Sequence, residues 1–110
     1  MIPLKSKSDD FGLSDKAWQE LELIFKSFHS LEKVILFGSR AKGTHKMGSD
    51  VDLAIQGCEV DTSVLLRLQG ALEASSLPYF FDVIQLDKID SPELLEHIRE
   101  CGVVIYEERI

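Results

Sequence analysis

Apolar residues recur along this chain at two periods, and the changes between them mark out the elements. Ala17, Trp18, Leu21, Ile24, Phe25 and Phe28 fall at helical spacing after Ser14, a residue suited to capping, so a helix is predicted to begin there, with Leu23 off its stripe. KVILFG follows as a β-branched and aromatic run closed by a glycine, the pattern of a strand buried on both faces. After the polar, glycine-punctuated SRAKGTHKMGS comes DVDLAIQG, which alternates cleanly: Val51, Leu53 and Ile55 share one face, Asp50, Asp52 and Ala54 the other. A second helix is expected from Asp61 or Thr62 to about Ser75 and Ser76, with Val64, Leu65, Leu68, Ala71 and Leu72 inward and Leu66 to the side. YFFDVIQL reads as a third strand, apolar on both sides except for Asp82, which is therefore expected to be buried. Ser91 and Pro92 open a third helix whose inner face is Leu94, Leu95, Ile98 and Cys101. Gly102 stops it before a last strand, VVIY.

This order of helices and strands implies an α/β or α+β domain in which one sheet is covered by helices. Residues 13–110 form that domain, and residues 1–12, mixed in Lys, Ser and Asp, are expected to be a flexible arm. At 110 residues the chain has room for one core and not for a second lobe, so any reaction is expected to be run by one small domain or with help from another chain. With 12 basic and 19 acidic residues the net charge is -7, which disfavours direct nucleic-acid binding. Within that acidic chain, residues 33–58 carry Lys33, Arg40, Lys42 and Lys46 against only Asp50 and Asp52, so one segment is locally basic. No apolar run suggests a secretory leader or a membrane span, and a cytoplasmic location is expected. Cys58 and Cys101 have neither zinc-site nor redox-pair spacing and read as buried thiols.

The chemistry is concentrated in three carboxylates. Asp50 and Asp52 stand two apart on one strand, so their Cα atoms are roughly 6–7 Å apart on the same face. If YFFDVIQL lies alongside, Asp82 joins them, and three such groups must take up protons, pair with arginine or bind hard cations. No histidine stands at ligand spacing, so Mg²⁺ is expected rather than zinc. His29 and His97 read as helix-surface residues and His45 as a loop residue near the Gly38-Ser39 turn, where a phosphate-like anion is expected to bind. Upstream, Gly38 and Ser39 end a buried strand where backbone amides and a hydroxyl can meet an anion, with Arg40, Lys42 and Lys46 adding positive charge. Thr44 and His45 occupy the places where a P-loop requires Lys followed by Ser or Thr, so that motif is excluded, and no GxGxxG is present.

Gly38-Ser39, ten residues and then Asp50-Val51-Asp52-Leu53, preceded by an apolar strand, resembles the signature of the DNA polymerase beta-like nucleotidyltransferases. The longer string GSRAKGTHKMGSDVDLAI is similar to their minimal prokaryotic branch, the MNT proteins of the MntA antitoxin type, and the resemblance runs from about Leu31 to the end. It implies a mixed sheet flanked by helices. It also implies that Asp50, Asp52 and Asp82 hold two Mg²⁺ ions, with Asp82 as general base, while Gly38 and Ser39 grip the outer phosphates of ATP. Arg40 would then neutralise phosphate charge, and Lys42 and Ser49 would be further nucleotide contacts. The family resemblance implies a helical HEPN toxin as partner, AMP transfer to one of its hydroxyls, and an antitoxin role for this chain. Leu23 and Leu66 are candidate contacts with that partner. The alternative is a catalytically silent protein that neutralises the same partner by occlusion.

Overall fold

The computed structural model describes residues 2–6 and 9–108. Its elements are α1 (Asp15–Lys26), β1 (Lys33–Phe37), α2 (Gly38–Lys42), β2 (Val51–Gln56), α3 (Thr62–Ala74), β3 (Phe81–Gln85), a 3₁₀ turn (Leu86–Lys88), α4 (Pro92–Cys101) and β4 (Val103–Glu107). Ser14 and Ser91 cap their helices as the sequence predicts, accepting the amides of Ala17 and Leu94, and Asp61 caps the helix expected to begin there or at Thr62 by accepting the Val64 amide, so each satisfies a donor that its helix leaves free at its start.

The four strands make one sheet in the order β3-β2-β1-β4. β1 runs antiparallel to β2 and β4, whereas β2 and β3 are parallel, because α3 carries the chain back across the sheet between them. The sheet is therefore mixed, with helices on both faces. On one face, Val34, Leu36, Val51, Leu53, Ile55 and Val83 pack against Leu21 and Phe25 of α1 and Leu68 and Leu72 of α3. On the other, Ile35, Phe37, Ala54 and Val104 meet Ile98 of α4. The two faces are unequally covered. A single ten-residue helix lies on the second, and the starts of β2 and β3 stay open there.

Three expectations change. The third strand begins only at Phe81, leaving Phe80 81% exposed, because β3 is an edge strand and pairing with β2 starts at Val51. The opening residues, expected as a loose arm, lie along β4: the Lys5 amide donates to the Val104 carbonyl at 2.9 Å and the Val104 amide to the Pro3 carbonyl at 2.7 Å. The part of that arm at Met1, Lys7 and Ser8 lies outside the described residues. Cys58 is exposed and Cys101 half-buried, so neither is a fully buried thiol. Cys58 follows the end of β2, in a turn where its amide donates to a Glu32 carboxylate oxygen at 2.6 Å. Leu23 and Leu66 project into solvent, as their positions off the helix stripes predict. Among the described residues no helix is long and apolar enough to cross a membrane.

Leu36, fully buried at the centre of β1, has neighbours on both adjacent strands and cannot be truncated without leaving a void. Leu36→Ala is expected to cost about 2–5 kcal/mol in urea unfolding followed by circular dichroism.

Candidate active site

The parallel register of β2 and β3 places Asp52 directly beside Asp82, with Cα atoms about 4.8 Å apart and both side chains on the α4 face. On the other side of β2, Asp52 pairs with Phe37, the last residue of β1, so the chain turns at Gly38 against the Asp52 carboxylate. That turn requires glycine twice over. Its φ is +76°, a region that side chains rarely adopt, and a Cβ there would land on Oδ2 of Asp52. The Gly38 amide donates to Nε2 of His97 at 3.0 Å. The His97 ring meets the edge of Phe37 at 6.1 Å between centroids.

Burial raises the pKa of Asp52 above the usual carboxylate value, and the charges of Asp82 and Asp50 raise it further. Among the described residues, none of the three carboxylates has a basic partner. Asp82 itself is exposed, which corrects its expected burial: β3 is an edge strand, and the covering of the α4 face does not reach its start. Asp50 lies one residue before β2 and is also exposed. No group of three His, Cys, Asp or Glu among the described residues stands close enough to make a finished metal site. Bare carboxylates repel one another, and the donor set is hard oxygen, so in charge and chemistry these groups fit Mg²⁺.

Arg40 does something other than what its position beside Ser39 suggests. It is only 2% exposed, with Nε and Nη2 donating to the Ser49 carbonyl at 3.2 and 2.9 Å and Nη1 to the Phe11 carbonyl at 2.9 Å. Its guanidinium lies 5.2 Å over the Tyr79 ring. These bonds commit three of its five N–H groups to backbone carbonyls, and the buried guanidinium faces the interior rather than solvent. Arg40 instead holds the loop that leads into Asp50. Ser49, expected as a nucleotide contact, has its hydroxyl accepting the Lys46 amide and so braces the same loop. His45, placed by sequence near the phosphates, is half-buried against Gly12.

The remaining candidates stay accessible. Ser39 uses its carbonyl to accept the Thr44 amide, and its hydroxyl is uncommitted among the described residues. Lys42 is exposed on the wall of an open cleft of about 750 Å³, which Glu93, Glu96, His97 and Glu100 also line. His97 is the residue that sequence reasoning missed. Its helical position marks it as surface, and only the packing of α4 on α2 brings it to Gly38.

The family model of the polymerase beta nucleotidyltransferases matches residues 19–110. The chain belongs to this family. Solved structures similar to this nucleotidyltransferase include a toxin-antitoxin with AMP-PNP, at 23% identity and a TM-score of 0.67, covering 84% of this chain and 74% of that one. Another is the tri-AMPylated Shewanella oneidensis HEPN toxin in complex with MNT antitoxin, at 20% identity and a TM-score of 0.61, covering 83% and 70%. A nucleotidyltransferase from Sulfolobus solfataricus matches at 21% identity and a TM-score of 0.53, covering 84% and 78%. No curated protein matches the chain.

Because the Asp52 pKa is higher in the folded state than in the unfolded one, ionising this carboxylate destabilises the metal-free fold. Stability then falls as pH rises from the unfolded value through the folded one. Asp52→Asn is expected to raise the Tm of the metal-free protein at pH 7 by a few degrees, on the order of ~1 kcal/mol or less. In scanning calorimetry the gain should disappear near pH 3, where both states of the wild type are protonated.

Proposed function

We propose that this nucleotidyltransferase transfers AMP from ATP to a hydroxyl of a HEPN-type partner protein, acting in the cytoplasm as the antitoxin of a toxin-antitoxin pair. The observation that carries the reading is the placement of Asp52 and Asp82 side by side, with Asp50 in electrostatic reach, against the Gly38-Ser39 turn. The AMP-PNP complex and the AMPylated HEPN toxin among its structural neighbours support the choice of nucleotide and partner. The chain's net charge of -7 argues against an acceptor held through its phosphates.

In this reading Asp50, Asp52 and Asp82 would hold two Mg²⁺ ions, which when bound supply charge neutralisation for the triphosphate and the departing pyrophosphate. Ser39 offers its free hydroxyl to the outer phosphates, and Lys42 adds a cation at the rim. Asp82, open to solvent, accepts the proton of the acceptor hydroxyl as that oxygen bonds to the α-phosphorus. The bond between the α-phosphorus and its bridging oxygen to the β-phosphate breaks, and pyrophosphate leaves with the electron pair. Arg40 and Ser49 hold Asp50 in place through the loop that they brace.

The test is incubation of the protein with its partner, Mg²⁺ and α-labelled ATP. Label should move to the partner, require the divalent ion, and fall at least about 100-fold in Asp52→Asn and Asp82→Asn. Neutralisation of the partner that survives in both variants, with no label transferred by the wild type, would establish occlusion instead.

A further inference from the structure

The Gly38 amide is a donor that regular structure leaves unpaired. It lies just past the last paired residue of β1 and opens α2, where the first amides of a helix have no carbonyl to meet. His97 of α4, 59 positions further along the chain, accepts this amide at 3.0 Å. The next residue on α4, Ile98, is 1% exposed in the core beneath the sheet, and the ring itself stands edge-on to Phe37. His97 thus reaches Gly38 from a fixed base and with a restrained ring. A nitrogen that accepts an N–H must carry a lone pair, so this geometry requires the neutral ring with its proton on Nδ1.

The bond has a consequence for the neighbouring groups. Gly38 presses against the Asp52 carboxylate with no room for a methyl group between them, and Ser39, with its free hydroxyl, comes next. Whatever sets the position of Gly38 therefore sets the distance from the Ser39 hydroxyl to the Asp52–Asp82 pair. Gly38 also has its amide already engaged, so the turn would meet phosphate through Ser39 and not through that amide.

We infer that His97 is a positioning residue, acting through the Gly38 amide to hold the Gly38-Ser39 turn in the geometry that receives the outer phosphates of the nucleotide. The inference rests on the nucleotidyl-transfer reading for its functional effect, but the hydrogen bond can be tested independently. It separates His97 from an acid or base that touches the reacting atoms: loosening a phosphate-gripping turn weakens binding in the ground and transition states alike, whereas removing a proton-transfer group slows the chemical step.

The test compares the full chain with His97→Leu, which has no acceptor, and His97→Gln, whose amide oxygen can replace Nε2. His97→Leu should raise KM for ATP about tenfold while kcat falls less than threefold, and His97→Gln should restore most of the loss. A large fall in kcat that glutamine does not rescue, or an unchanged KM in His97→Leu, would overturn the inference. Nitrogen-15 NMR of the wild type supplies a readout that needs neither activity nor a folded variant. It should find His97 protonated on Nδ1 and a coupling across the hydrogen bond between the Gly38 amide nitrogen and Nε2. Finding the proton on Nε2 would sink the proposal. If the wild type transfers no label but shows this coupling, the nucleotidyl-transfer reading fails and the hydrogen bond stands. The positioning role then depends on ATP binding measured by calorimetry: a Kd about tenfold weaker in His97→Leu supports it, and an unchanged Kd overturns it.

Discussion

Asp52 is held between two strands, with Asp82 on one side and the bare Cα of Gly38 on the other, and this crowding is the constraint around which the site is organised. A partly desolvated carboxylate beside other negative charges is unfavourable in isolation, as its raised pKa records. The sheet enforces it because the register of β2 is set elsewhere, by Val51, Leu53 and Ile55 packing against α1 and α3. A slip of one residue would turn those three side chains out of the core, so the cost of exposing them maintains the electrostatic strain.

The same division of labour explains Arg40. A buried guanidinium without a carboxylate partner is costly unless it is compensated, and here two backbone carbonyls accept three of its N–H groups while the Tyr79 ring covers its face. The groups it joins are the segment before α1, the loop entering β2 and the approach to β3. With Arg40 turned inward, the positive charge left for an incoming anion is that of exposed residues such as Lys42 and Lys46. The acidic wall of α4 across from Lys42 gives the mouth of the site two signs of charge, suited to placing a polyphosphate on one side and excluding it from the other.

Local pattern was enough to locate most elements. Apolar spacing, Ser14 and Ser91 as caps, Pro92 and Gly102 identify helices whose ends depend on hydrogen bonds within a few positions of each other. The Asp50-Val51-Asp52 alternation likewise points to two carboxylates on one strand face, because side chains in a strand alternate, but β2 begins at Val51 and leaves Asp50 in the loop before it. The glycine before Ser39 marked a tight turn for a similar local reason, and its positive φ agrees.

What the tertiary structure decided is which distant residues meet. The parallel pairing of β3 with β2 sets Asp82 beside Asp52, and β3 lies at the sheet edge, which leaves Asp82 in solvent although its neighbours in sequence are apolar. Arg40 was read from its adjacent serine as a phosphate ligand, but its direction depends on Ser49 and Phe11, residues 9 and 29 positions away. His97 likewise becomes part of the site only because α4 packs over α2. Periodicity reports which face of an element is buried. It carries no information about which element lies against that face, and for Arg40 and His97 that contact determines the role.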